Sequence, residues 1–317
     1  MTRFGFCIQY SESGAIGKTA RRSPTPGPGS ARDWIVRYQT IRFTGMAALE
    51  GFMFPRTPTG AASILPGPPW HYSGEMLTIE WRTDPDNVAE LLPEPLRPAD
   101  DDPGAVAMIW ADWQSCSDSF EELLDPARAQ YKEVFVVVRC RYAGRTYSRA
   151  VYIWVDKDFA MARGHVQGYP KKMSEIWMTR PVTIGRAGPR LEPGGRFGAT
   201  LSTWGRRIAD ARFTITGTAE TAGFVNAHPM IHSRQMPAIE MDGRDSLDEL
   251  VTMSGYDIDL GPVYSGDAEI DIFDNPTEEL ARLSPDEIIG GFYRQVGNSM
   301  AGGTTLWAAD NPMARKR

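Results

Sequence analysis

Two lysines stand side by side behind a proline in Pro170-Lys171-Lys172. In a dry site they cannot both be comfortable as ammonium ions. Each charge disfavours the other and desolvation disfavours both, so at least one pKa falls. A lysine that is neutral near pH 7 attacks a ketone and forms an imine. The competing reading of these three residues is an exposed turn with two solvated charges, the usual state of lysine. Around the pair lie other groups of the right type. Glu133, in Tyr131-Lys132-Glu133, could move protons or stabilise an iminium, or be an ordinary strand-edge carboxylate. Gln167, four residues before Lys171, could hold a substrate carboxylate or carbonyl while staying neutral, or cap a turn. Arg163 could bind a carboxylate through its planar fork, or pair with Asp156 or Asp158. Trp110, Trp113, Tyr131 and Tyr169 read as core or pocket wall, with Tyr131 taken as the wall nearest the substrate.

These residues need strands to position them. Ala150–Asp156, just before the lysine stretch, is strand-like, and Val134–Tyr142 with Arg145–Asp156 reads as a hairpin across Ala143-Gly144. Upstream, Met76–Trp81 reads as a strand. The turn Thr83-Asp84-Pro85 and a short helix through Val88, Leu91 and Leu92 follow, stopped by Pro93-Glu94-Pro95. Ala105–Trp113 is a second strand. Downstream come Ile176–Ile184, Gly198–Ser202, Arg212–Thr218, Asn226–Arg234, Leu247–Ser254 and Val263–Phe273, separated by Gly and Pro signals. Many short strands with few helices predict a mainly β (α+β) fold, a closed β-barrel or cone with a few short helices.

Ala160-Met161-Ala162-Arg163-Gly164 followed by Gln167-Gly168-Tyr169-Pro170-Lys171-Lys172 resembles the acetoacetate decarboxylase superfamily, and the resemblance extends over roughly residues 64–307. It implies that Lys171 carries an imine and Lys172 tunes it, that Glu133 is the essential acid, and that the chain forms a homo-oligomer. Two departures stand out. The decarboxylases of the family carry an arginine, associated with the substrate carboxylate, at the position aligned with Gly74, and a second glutamate at the position of Met108. Pro68-Pro69-Trp70-His71-Tyr72, Leu124 to Tyr131 and Gln167 are closer to the aldolase-dehydratase branch. That branch condenses a 2-oxo acid such as pyruvate with an aldehyde and then removes water. The resemblance therefore implies a lyase acting on a small oxo acid, with an aldehyde as second partner. Decarboxylation of a 3-oxo acid and a non-catalytic ligand-binding barrel are the alternatives.

Composition narrows the partners. The chain has 317 residues, with 34 Lys plus Arg against 40 Asp plus Glu, a net charge of −6. That balance argues against nucleic acid or an anionic membrane surface as partner. Cys7, Cys116 and Cys140 are odd in number and lack metal spacing, which suits a reducing, cytoplasmic setting without disulfides. His228 and His232 are four apart, but Pro229 and strand-like surroundings speak against a shared helical face, so no metal is expected. Pro193 to Gly198 lacks both the P-loop lysine and the dinucleotide spacing, so no cofactor is expected. Residues 1–45 are basic and rich in Pro, Gly and Ser. They read as a disordered tail, an organelle transit peptide, or upstream sequence before a start at Met46 or Met53. Residues 46–63 read as a linker and 64–310 as a single domain.

Overall fold

The computed structural model describes residues 48–309; the basic stretch 1–45 lies outside the described residues. Thirteen strands and two short α-helices follow one another. The first half comprises β1 (Trp70–Arg82), α1 (Pro85–Ala89), β2 (Arg97–Pro98), β3 (Ala105–Ser117), β4 (Gln130–Tyr142), β5 (Arg145–Val155) and α2 (Asp158–Gln167). The second half comprises β6 (Lys171–Met173), β7 (Glu175–Met178), β8 (Arg196–Thr203), β9 (Arg206–Ala219), β10 (His232–Pro237), β11 (Asp245–Leu260), β12 (Val263–Ile272) and β13 (Glu287–Ala308). The expected hairpin forms between β4 and β5. Its two turn residues, Ala143 and Gly144, both have positive φ, 47° and 80°, the geometry that matches strand twist in a two-residue loop.

The strands join in the order β6-β5-β4-β3-β1-β13-β12-β9-β8-β7, with β2 on β4 and β10–β11 on β13. The mainly β class with few helices is as expected from the sequence. Closure differs from a fully laddered barrel. The two ends of the path, β6 and β7, do not pair; they are consecutive in the chain, joined by Ser174, whose N–H donates to the Val155 carbonyl at 2.8 Å. The seam is covalent, and the lysine pair sits on it.

Period-two alternation sends each strand's side chains to two separate interiors. Leu77, Ile79 and Trp81 of β1, Val106, Met108 and Trp110 of β3, and Val134, Val136 and Val138 of β4 face one core, shared with Leu201, Phe213 and Tyr293 from the far strands. Tyr72 and Met76 of β1, Ile109 and Trp113 of β3, and Tyr131, Glu133 and Phe135 of β4 face the other side, where a cavity lies. Residues 48–63, read as a linker, fold back here. Glu50 bridges Thr57, Ser63 Oγ donates to the Met53 carbonyl at 3.2 Å, and Phe52 packs edge-on against Trp70 with centroids 5.6 Å apart. Among the described residues no helix is long and apolar enough to cross a membrane.

Candidate active site

The lysine segment is set by α2 and the turn after it. Gly168 takes φ 88° at the carboxyl end of α2, and Tyr169 N–H then donates to the Gly164 carbonyl at 2.9 Å, an end that favours glycine. The Lys171 N–H donates to the Tyr169 carbonyl at 2.8 Å, and His165 Nε2 donates to the Lys171 carbonyl at 2.9 Å. The Lys171 side chain runs across α2 at Gly164. A Cβ there would lie 2.3 Å from Lys171 Cδ, so any larger residue would displace the amine.

β6 runs parallel to β5 with Ile153 opposite Lys171 and Trp154 opposite Lys172. Adjacent strand residues face opposite sides. Lys171 therefore enters the cavity side and is buried. Its Nζ lies 3.1 Å from Glu133 Oε1, and 5.6 Å and 5.5 Å from the ring centroids of Tyr131 and Tyr169. Burial pushes the Lys171 pKa below its ordinary value; Glu133 opposes that shift and Arg163 adds to it. A buried amine in this state, beside a carboxylate that can take or give a proton, is equipped to attack a carbonyl carbon.

The structure does not bring Lys172 to this cluster. Its Nζ pairs with Glu278 Oε2 at 2.5 Å on the opposite face of the sheet and stands over the Trp154 ring at 5.6 Å. Lys172 takes no part in the depression of the Lys171 pKa. This corrects the expectation that the second lysine tunes the first through its charge: strand alternation separates them, and burial with Arg163 does the tuning. Lys172→Gln is accordingly expected to leave the acid limb of a pH–rate profile in place. Its effect falls on stability, because the Glu278 side chain, 2% exposed, loses its cation while the Lys172 side chain is 48% exposed. The expected loss is about 1–2 kcal/mol, measured by denaturant melts, less than for a fully enclosed pair.

Glu133, Gln167 and Tyr131 line the cavity together with Lys171. Gln167 also lies within reach of the Tyr72 hydroxyl, and burial holds the phenols of Tyr72 and Tyr131 above their ordinary range, so both are neutral hydrogen-bonding groups. Arg163 departs from the expectation of direct substrate binding. It does not line the cavity. Its guanidinium sits behind that wall, 4.8 Å from the Tyr72 ring centroid and 5.5 Å from that of Tyr131, and donates to Ser115 Oγ at 3.1 Å. Asp156 and Asp158 are engaged elsewhere, by the Lys132 N–H and the Phe159 N–H. Arg163 is thus a buried cation that acts on Lys171 and Glu133 through space.

The two departures from the family also acquire a physical form. A side chain at Gly74 would start 2.5 Å from the Asp112 carbonyl and 2.6 Å from the Trp113 ring, so no arginine fits there. Met108 points into the opposite core, and its pocket-facing neighbour is Ile109. Glu133 is the one carboxylate lining the cavity among the described residues. His232, of the expected histidine pair, packs on the Tyr169 ring at 4.0 Å, and burial with Arg149 and Lys171 takes its pKa down to about 3. It is a neutral residue packed against Tyr169. Arg294, Asn298 and Met300 of β13 and Ala222, Val225, Asn226 and Met230 also border the cavity. Sequence reasoning missed them, although a lone charge in Gly-Gly-Phe-Tyr-Arg294 was a usable signal.

A family model described as acetoacetate decarboxylase (ADC) matches residues 53–309. The acetoacetate decarboxylase of Streptomyces nogalater is 26% identical over 251 residues, 78% of this chain and 93% of that protein. The enduracididine biosynthesis enzyme MppR complexed with pyruvate superposes with a TM-score of 0.77 at 36% identity, over 82% of this chain and 99% of that one. The same enzyme complexed with the condensation product of pyruvate and imidazole 4-carboxaldehyde is 37% identical, with a TM-score of 0.77, over 83% of this chain and 98% of that one. An acetoacetate decarboxylase-like enzyme from Sphingomonas wittichii RW1 superposes with a TM-score of 0.75 at 27% identity, over 82% of this chain and all of that one (100%).

Proposed function

Because the chain belongs to the acetoacetate decarboxylase family, matched over residues 53–309, we propose that it is a lyase that forms an imine between Lys171 and a small 2-oxo acid such as pyruvate, condenses the product with an aldehyde and removes water. The observation that carries this reading is the buried Lys171 amine 3.1 Å from Glu133 in a cavity that also presents Gln167 and Tyr131.

The Lys171 amine adds to the ketone carbon and, with uptake of one proton, water leaves, giving an iminium. Glu133 takes a proton from the neighbouring carbon, and the electron pair flows into the iminium to form an enamine. The enamine carbon attacks the aldehyde, whose oxygen takes up a proton. Loss of that oxygen as water gives a conjugated iminium, and hydrolysis returns the amine. Gln167 holds the carboxylate or carbonyl without adding a charge that would compete with Glu133. The absence of room for an arginine at Gly74 supports condensation over decarboxylation. So does the likeness to MppR, whose structures hold pyruvate and its condensation product.

Decarboxylation of a 3-oxo acid is the second reading, favoured by the two curated relatives named acetoacetate decarboxylases at 26% and 24% identity. Both reactions pass through the same enamine, so a two-substrate comparison separates them. Pyruvate with an aromatic aldehyde or an enal is expected to give an ultraviolet-absorbing conjugated product faster than acetoacetate gives acetone. Gln167→Ala is expected to slow the condensation more than it slows imine trapping. Rapid release of carbon dioxide from acetoacetate with no condensation product would sink the reading and install decarboxylation in its place.

A further inference from the structure

Arg294 has no assigned task. It lies on β13, is only 9% exposed and borders the cavity, and its side chain makes no hydrogen bond or ion pair among the described residues. Burial alone pulls its pKa below the ordinary arginine value, with no charged side chain to offset the shift. The other cations near the cavity are engaged. Lys171 faces Glu133, and Arg163 is enclosed by rings and Ser115. A guanidinium taken out of water without an anion is costly, and a carboxylate bound through its planar fork would offset that cost.

The sheet register places the Arg294 backbone three strands across from that of Glu133, the partner of the reacting amine. Arg294 stands opposite Met76, Met76 opposite Ala111, and Ala111 opposite Glu133. The row runs across four strands, so three spacings of roughly 4.8 Å separate the two ends along the curved surface. A 2-oxo acid bound to Lys171 carries its own carboxylate on the very carbon that bonds Nζ. That first carboxylate therefore belongs at the Glu133 end of the row, and Arg294 stands at the other end. The wall between them is Met76 and Ala111, with no other charge in the row.

We propose that Arg294 anchors a second carboxylate, carried at the far end of a reacting carbonyl compound, so that the cavity selects reactants with a distal anionic group over neutral ones. The proposal rests on the imine reading of Lys171 and names the substrate class for it: an aldehyde bearing a carboxylate several atoms from its carbonyl, or a 2-oxo acid with a second, distal carboxylate.

Isosteric acid–amide pairs test it. For the aldehyde, 4-formylbenzoate is compared with 4-formylbenzamide in condensation with pyruvate. For the oxo acid, 2-oxoglutarate is compared with its 5-amide in borohydride trapping on Lys171. The expected result is a preference for the acid of about 10- to 100-fold in at least one pair, the range of a charge-assisted hydrogen bond. The pair that shows it identifies the source of the carboxylate. Arg294→Gln is expected to erase that preference while leaving trapping of pyruvate unchanged, and Arg294→Lys to restore part of it. A preference that survives in Arg294→Gln, or no preference in either pair, overturns the proposal. Equal slowing of pyruvate trapping overturns it too, because Arg294 would then hold the first carboxylate. If pyruvate does not label Lys171 at all, the imine reading fails by itself. Equilibrium binding of terephthalate against its monoamide then decides the role of Arg294: a preference lost in Arg294→Gln supports it, and no preference ends it.

Discussion

Lys171→Ala is expected to abolish the mass added to the Lys171 peptide by pyruvate and borohydride, and to reduce turnover by roughly 10⁴-fold or more, the scale of loss when an enzyme's covalent nucleophile is removed. The expectation follows from placement. The amine is the one primary amine lining the cavity among the described residues, and Lys172 lies across the sheet on Glu278. No neighbouring amine can substitute. The alanine variant also strips Glu133 of its partner at 3.1 Å, leaving a buried carboxylate that must take a proton or destabilise the fold. Lys171→Gln separates the two effects. It keeps a donor for Glu133 but cannot form an imine. The glutamine variant should therefore melt close to the native protein and remain unlabelled. Labelling of either variant at the native level would remove the central claim. Native-level reversible binding of pyruvate with no reduction in the unaltered chain would instead point to a non-catalytic ligand-binding barrel.

The strands were readable from the sequence where alternation or turn chemistry was strong. The β4–β5 hairpin follows from Ala143-Gly144 between two long apolar runs, and β1 and β3 from their apolar, tryptophan-bearing stretches. The α2 helix was not readable. Its buried residues include Arg163, Gly164 and Gln167, so it carries no apolar stripe of the kind that marks a helix packed on a core. Those same residues surround Lys171 and its cavity, and their small or polar side chains leave no apolar stripe to read. The facing of Lys172 was also hidden. β6 is three residues long and is defined only by parallel pairing with β5, a long-range fact that no local pattern encodes. Arg294 escaped because β13 runs for 22 residues and is interrupted by Gly290, Gly291, Gly297, Gly302 and Gly303, which blurs its period. The strand expected from Val134 begins instead at Gln130, so Tyr131 and Glu133 lie two apart on one face of β4, and that face lines the cavity.

Glu133→Gln is the variant in which electrostatics and proton transfer pull in opposite directions. Glu133 raises the Lys171 pKa against the lowering caused by burial. Removing its charge therefore takes the Lys171 pKa lower still. Imine formation needs the neutral amine, so its rate falls as pH drops through that pKa. A lower pKa moves this acid limb to lower pH, and at acid pH the variant should retain a larger fraction of its own maximal trapping rate than the native protein does. Arg163→Gln should do the reverse, because Arg163 lowers the Lys171 pKa and its loss moves the limb to higher pH. Lys172→Gln should move neither. The second consequence of Glu133→Gln is chemical. The amide cannot accept the proton that leaves the carbon beside the iminium. Exchange of the pyruvate methyl protons with deuterated water, followed by NMR, should slow by about 10²- to 10⁴-fold, the usual contribution of a positioned base. Condensation should slow with it, even where trapping is intact. Two outcomes would contradict this arrangement. An acid limb that moves upward in Glu133→Gln would mean that the carboxylate does not support the charged amine. Unchanged proton exchange would mean that the base is another group, and among the described residues the cavity offers no second carboxylate to take its place.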